Sequence, residues 1–272
     1  MKNNPIGIFD SGVGGLTVAN AVVRQLPNED IIYYGDTVHL PYGDKSAEAV
    51  REYSLGIVQF LLNKGCKMIV VACNTASAAA YDVIKREFKD KVLLVDVIEP
   101  ITQAVAARHF RKVGVIGTKG TINAGTYEKS LHTLQPDLIV ENLATPLLVP
   151  MIEEGFIHHR VSNGIIENYL ERSEFNDIDA LLLACTHYPL LRPEIEAFFQ
   201  DRVEVFDSTD VVAQTVFELL QKHDLLNDHR RQMPQFFVSD YTDNFEKTTR
   251  LFYQEDIKLR KENIWAEDYI LR

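Results

Sequence analysis

The chain has 272 residues and a mass of 31.0 kDa, with 46% hydrophobic and 25% charged residues. Those fractions belong to ordinary globular proteins and exclude disorder as the dominant state; at about 150 residues per domain the length suits two domains or one larger unit. Lys and Arg number 28 against 39 Asp and Glu, a formal net charge of −11 that repels phosphate backbones and anionic lipid, so neither nucleic acid nor a membrane surface is expected as a partner.

Taken in chain order, short apolar runs predict strands over 5–9, 31–34, 68–72 and 92–97, with helices over 16–25, 46–63, 76–88 and 101–109. A second set of strands is predicted over 112–116, 138–141, 180–184 and 203–206. Runs without polar alternation suit strands covered on both faces, which means a parallel sheet under crossover helices. Beyond Ser208 the pattern predicts a helix over 209–222, a strand over 235–239 and a helix over 243–252, a tail that returns to the first unit. The polar stretch 222–232 reads as a solvated loop. No apolar run reaches the roughly 18 residues of a membrane span, and MKNNPIGIFD holds no signal-peptide core, so a cytoplasmic location is expected.

The chain partly repeats itself. IGIFDSGVGGLTV (6–18) and VGVIGTKGTI (113–122) share a strand, a glycine-containing turn and a helix start; MIVVACNTASA (68–78) and ALLLACTHYPL (180–190) share a strand ending in Ala-Cys. Gly117 follows Asp10 by 107 residues, and Cys185 follows Cys73 by 112. That near-constant shift predicts two similar open α/β domains with mostly parallel sheets, related by a pseudo-two-fold axis. The expected division is 1–97 plus 208–272 for the first and 98–207 for the second.

Asp10-Ser11-Gly12-Val13-Gly14-Gly15 separates a strand from a helix. Glycines there let backbone N–H groups approach an anion, although a tight βα turn explains them equally well. The run is neither a dinucleotide fingerprint, since Thr17 stands at the third glycine position, nor a phosphate loop, which would end in Gly-Lys-Ser/Thr. Asp10 favours a ligand, because open α/β sheets bind at the carboxyl ends of their strands.

Three cysteines cannot all pair within the chain, and the expected compartment disfavours disulfides. Cys66 has no counterpart in the other half and reads as packing. Cys73 and Cys185 each end an apolar strand and precede small polar residues, Asn74-Thr75 and Thr186-His187. A thiol at a helix start is biased toward thiolate. A disulfide couple would usually show CxxC, which is absent, and a Cys–His hydrolase would leave the second Cys surplus. Two chemically alike acid–base groups facing one carbon from opposite sides suit a racemase, one removing the α-proton and the other returning a proton.

The pieces FDSGVGG, YYGDT followed by PYG, VACNTASA and LACTHYPLL resemble those of cofactor-independent glutamate racemases, within the aspartate/glutamate racemase superfamily, and the likeness runs through both halves. The resemblance implies an active site between the domains, with Cys73 acting on D-glutamate and Cys185 on L-glutamate. It implies Asp10 as partner of the substrate ammonium and of Cys73, His187 as assistant to Cys185, and Glu153 as an acid near that thiol, though sequence does not separate Glu153 from Glu154. Ser11 with the backbone of Tyr42 and Gly43 resembles a cradle for the side-chain carboxylate. Asn74, Thr75 and Thr186 resemble the binders of the α-carboxylate and amino group, and Thr118 and Thr121 join them. Asp36, at the end of a strand, reads as a cap of the following helix and is held out of the catalytic set.

The resemblance further implies no metal and no organic cofactor, L- and D-glutamate as the small-molecule partners, a role in supplying D-glutamate for peptidoglycan, and a homodimer. Some members of that family carry an N-terminal extension linked to activation by a cell-wall precursor; Asp10 lies so near Met1 that no such dependence is expected. Aspartate is the nearest competing substrate. A two-domain amino-acid sensor, holding glutamate without exchanging its α-proton, and a redox thiol protein stay open as other classes.

Overall fold

All strand pairs are parallel in the computed structural model, which describes residues 2–241 and 243–266. Met1, Thr242 and 267–272, assigned above to the first domain, lie outside the described residues. The chain begins β1 (Ile6–Asp10), α1 (Leu16–Gln25), β2 (Ile31–Gly35), α2 (Ala47–Asn63), β3 (Met68–Val71), α3 (Asn74–Phe88), β4 (Leu93–Asp96) and α4 (Ile98–Ala106). It continues through β5 (Lys112–Gly117), α5 (Lys119–Asn123), α6 (Thr126–Leu134), β6 (Ile139–Ala144), α7 (Leu148–Glu153), α8 (Arg160–Leu170), β7 (Ala180–Ala184), α9 (Arg192–Phe199) and β8 (Glu204–Phe206). The tail is α10 (Thr209–Lys222), β9 (Gln235–Val238), α11 (Asp243–Tyr253) and β10 (Leu259–Lys261).

Two sheets result. The smaller runs β6-β5-β7-β8, and the larger contains the same order, β2-β1-β3-β4, lengthened past β2 by β9 and β10. In each, the chain leaves the first strand toward one edge and then crosses to the other side. The crevice between β1 and β3, and again between β5 and β7, is therefore a switch point, the place where open α/β sheets bind ligands. Registers of Phe9 with Val71 and of Gly117 with Ala184 align the strand ends there.

Burial follows the apolar runs: every residue of β1, β2, β3 and β7 is buried, as strands with helices on both faces require. One core joins both halves, from Leu16 and Val22 of α1 through Ile101 of α4 and Val216 of α10 to Leu182 of β7. A second core lies on the other face of the larger sheet, with Phe9, Val58, Ile69 and Ile84 under α2 and α3. None of the described helices is long and apolar enough to cross a membrane.

Three local expectations shift. The third helix begins at Asn74 instead of 76, because Cys73 is its N-cap and its Sγ accepts the Ala76 N–H at 3.4 Å. Likewise α4 begins at Ile98 instead of 101, since Asp96 accepts the N–H groups of Ile98 and Glu99 at 3.2 and 3.1 Å. The stretch 222–232 is more than a solvated loop. Buried Lys67 donates to the carbonyls of Lys2 and Leu225, to Glu29 at 2.6 Å and to Asn227 at 3.0 Å, while Asp30 accepts the N–H groups of Arg231 and Gln232. β10 was not expected from the sequence; three residues, Leu-Arg-Lys, carry too little pattern to read.

Candidate active site

A cavity of about 180 Å³ opens where the two switch points face each other. It is smaller than the roughly 300–1,000 Å³ of pockets for drug-sized ligands, and so suits a small metabolite. Both switch-point thiols, Cys73 and Cys185, line it, together with Asp10, Ser11, Tyr42, Gly43, Asn74, Thr75, Thr118, Glu153, Thr186 and His187. Of the residues assigned to the site from the sequence, Thr121 alone does not line this cavity. It stands behind the wall, its hydroxyl 3.1 Å from Thr75 and 3.0 Å from Thr118. Thr75 and Thr118 are themselves 2.9 Å apart, so three hydroxyls close a triangle across the two halves.

The first thiol sits among groups that oppose its ionisation. Cys73 is buried, donates to Ser11 Oγ at 3.7 Å and accepts the Ala76 N–H. Burial, and after it the Asp10 carboxylate, push its pKa far above the usual thiol range despite those hydrogen bonds. Asp10 is buried at the end of β1, and its Oδ2 accepts the N–H groups of Gly12 and Gly15 at 3.1 and 3.0 Å. The glycine-rich turn thus spends two of its donors on the protein's own carboxylate instead of on a bound anion. Asp10 Oδ1 has no hydrogen-bond partner among the described residues.

The second thiol has a different neighbour. Cys185 Sγ lies 3.8 Å from His187 Nδ1, and His187 Nε2 lies 3.0 Å from Glu153 Oε1. Burial alone would lower the histidine's pKa; the hydrogen bonds and charges of Cys185 and Glu153 outweigh it and raise it to about 10. His187 therefore holds a proton on the cavity wall. Glu153, on the last turn of α7, is the acid that reaches it, whereas its exposed neighbour Glu154 ends the helix through a backbone bond to Pro150.

Close approach between the halves is built into the turn. A Cβ on Gly14 would lie 2.4 Å from both His187 Nδ1 and Thr186 Oγ1, so only glycine fits there. Thr17 then bridges the gap, donating to Gly14 O at 2.9 Å and Thr186 O at 3.2 Å.

Asn74 faces the same cavity with one side of its amide fixed. The Tyr127 hydroxyl donates to its Oδ1 at 2.5 Å, leaving the buried Nδ2 donor without a partner among the described residues. Tyr127 had no signal in the sequence, because a tyrosine on a helix reads as core. Thr145, at the end of β6, also lines the cavity, bonded to the Tyr188 hydroxyl at 2.7 Å. A polar residue at a strand's carboxyl end was the clue available for it. Lys119, a further lining residue, pairs with Asp44 across the halves at 3.4 Å. Among the described residues no three His, Cys, Asp or Glu side chains converge as a metal site requires.

The geometry thus combines two switch points, two thiols on one cavity, and a buried acceptor and donor left for a small ligand. Comparison with known proteins agrees. The sequence pattern of the Asp/Glu/Hydantoin racemase family matches residues 6–216, and the chain belongs to that family. It is 41% identical to the glutamate racemase of Chlorobaculum parvum over 92% of both chains, and 40% identical to that of Geobacter metallireducens over 94% of this chain and 98% of the other. The crystal structure of glutamate racemase from Francisella tularensis in complex with D-glutamate superposes with a TM-score of 0.91, at 34% identity, covering 96% of this chain and 98% of that one. Within the family, the chain is an amino-acid racemase, an isomerase.

Proposed function

We propose that this racemase interconverts L- and D-glutamate through two thiols. The observation that carries the reading is that Cys73 and Cys185, at equivalent strand ends, line one small cavity. Abstraction of the α-proton by one sulfur as thiolate and donation from the other as thiol invert the carbon with no change in atom count. The family resemblance assigns Cys185 to L-glutamate and Cys73 to D-glutamate. The surroundings fit: Cys73 is held protonated by burial and Asp10, ready to donate, while Cys185 Sγ stands 3.8 Å from the protonated His187 imidazole.

The remaining polar groups match an amino acid with two carboxylates. Unpaired Asp10 Oδ1 suits the substrate ammonium, and the fixed Asn74 Nδ2 suits the α-carboxylate, aided by Thr75 and Thr186. Ser11 and the Tyr42–Gly43 turn take the side-chain carboxylate, and Thr118 extends that wall. Thr121 acts one step back, by orienting the hydroxyls of Thr75 and Thr118. Fixed donors around a developing carbanion supply stabilisation that water, which must reorganise, cannot. No step of this scheme needs a metal or an organic cofactor.

The same reading places the enzyme in the cytoplasm as a supplier of D-glutamate for peptidoglycan, as a homodimer, with the pseudo-two-fold domains 1–97 plus 208–272 and 98–207. Growth of a D-glutamate auxotroph on the expressed gene tests the first point; light scattering at twice the 31.0 kDa chain mass tests the dimer.

The decisive experiment incubates the purified chain with L- or D-glutamate in D₂O, without added cofactor, following α-deuteration and optical rotation. Exchange with inversion is expected, falling by about 10³-fold or more in Cys73→Ser and in Cys185→Ser, as loss of an essential acid–base group predicts. Binding without exchange would favour the sensor. Faster turnover of aspartate than of glutamate would reassign the substrate.

A further inference from the structure

Asp36 looks in the sequence like a cap, but its carboxylate makes no cap bond. It is fully buried and accepts from four side chains. Oδ2 meets His39 Nδ1 at 2.8 Å and the Tyr42 hydroxyl at 2.7 Å; Oδ1 meets Ser239 Oγ at 3.1 Å and the Trp265 indole N–H at 2.7 Å. The first pair belongs to the segment 36–44, whose residues Leu40 to Asp44 wall the cavity. The second pair comes from the far end of the chain, after β9 and after β10. One carboxylate therefore joins the cavity wall to the C-terminal return.

Other contacts tie the same two segments. Ser239 Oγ accepts the Val38 N–H at 2.9 Å, and Thr37 Oγ1 accepts the Asp240 N–H at 2.9 Å. The His39 ring stacks on Tyr53 with centroids 3.8 Å apart, and the Trp265 indole meets both rings edge-on. Gly56, in the middle of α2, has no backbone reason to be glycine; a Cβ there would lie 2.8 Å from Trp265 Cη2 and Cζ3. Mid-helix glycine weakens a helix, so its place here is the seat of the indole.

We propose that Trp265 and Ser239 are positioning residues for substrate capture. Through Asp36 they fix the Tyr42–Gly43 turn that grips the side-chain carboxylate, although neither lines the cavity. This rests on the glutamate racemase reading above. Because a turn misplaced by tenths of an ångström weakens ground state and transition state alike, the loss should appear in KM and not in kcat.

The test measures racemisation of both enantiomers by wild type, Trp265→Phe, Ser239→Ala, Tyr42→Phe and the Trp265→Phe/Tyr42→Phe pair. Phe keeps an aromatic ring in the cluster but loses both the N–H and the indole edge that meets Gly56, so the thermal midpoint is measured beside KM, and Ser239→Ala cuts the same link without touching that contact. KM should rise about three- to tenfold in each single variant, with kcat within about twofold, less than the roughly 10- to 150-fold worth of a hydrogen bond to a charged group because the bond acts on the substrate only through the turn. The double variant should match Tyr42→Phe, because the link is already cut at its other end. Lowered thermal midpoints with unchanged KM in the single variants would reduce the cluster to a structural staple and overturn the proposal. So would a fall in kcat at constant KM, or full additivity in the double variant. Absence of glutamate turnover in the wild type would instead remove the functional reading, and this inference with it; an active wild type with normal variants sinks the inference alone.

Discussion

Cys73 and Cys185 close apolar strands of the same rank in two sheets of the same order, yet one sulfur faces a carboxylate and a serine hydroxyl, and the other a histidine backed by a glutamate. Strand order sets where a reactive group stands. The side chains packed beside it set its surroundings. Asp10 is the last residue of β1, in the same half as its thiol. Glu153, likewise in the same half as its thiol, comes from α7 and reaches Cys185 only through His187. Two thiols can thus share a fold position in unlike surroundings, and in the proposed cycle they begin in opposite roles.

The largest expected effect in breaking that contrast is on turnover. His187→Asn removes the cation beside Cys185 and should lower kcat/KM about 100-fold, within the range of an acid–base contribution. Enantiomers have equal free energy in achiral solution, so kcat/KM must fall by the same factor in both directions. The separate kcat values need not match, and the loss in kcat should be greater from L-glutamate than from D-glutamate. Steady-state polarimetry in both directions measures this; equal kcat losses would mean that His187 does not distinguish the thiols.

A smaller effect should appear in thiol reactivity. Alkylation by iodoacetamide at neutral pH, followed by peptide mass spectrometry, should label Cys185 about tenfold faster than Cys73, since the thiolate is the nucleophile and burial, then Asp10, hold Cys73 protonated. Cys66, its pKa raised by burial to about 12, should be slower than Cys185 as well. Faster labelling of Cys73 would reverse the assignment of acid and base.

The smallest effect is on stability. The His187 pKa is about 10 in the folded chain against 6.5 for the free side chain, so the folded state holds the proton more tightly. Its contribution is complete below about pH 6.5 and disappears as pH rises through about 10. The thermal midpoint of wild type should exceed that of His187→Gln at pH 6, and the gap should narrow toward pH 10. A gap that widens with pH would show the imidazole to be neutral in the fold.

How much of this could be read beforehand depended on distance along the chain. Continuous apolar runs ending in Ala-Cys exposed β3 and β7 with their thiols, because a buried parallel strand leaves no other pattern. The terminal Leu-Arg-Lys of β10 left none, being short and charged at an edge. Glu153 and Glu154 are adjacent on a helix and point about 100° apart, so only the packing of α7 selects the one that meets His187. The partner of Asp36 stands 229 residues away at Trp265, and no local signal joins them. The glycines of the first turn were visible, but the reason for Gly14 lies in Thr186 and His187 of the other half. Local chemistry was legible, and contacts that cross the chain were not.

The pairing of β2 with β9 has a consequence for synthesis. The ribosome releases β1 to β4 first, but one edge of β2 has no strand beside it until residues 235–238 emerge. The 112–206 sheet, in contrast, is continuous in the chain and can close before that point. The order of maturation should therefore run against the order of translation, with the amino-terminal sheet finished last. During that interval its uncovered edge offers backbone donors and acceptors to any passing strand, so this edge is where a stalled or truncated chain would begin to aggregate.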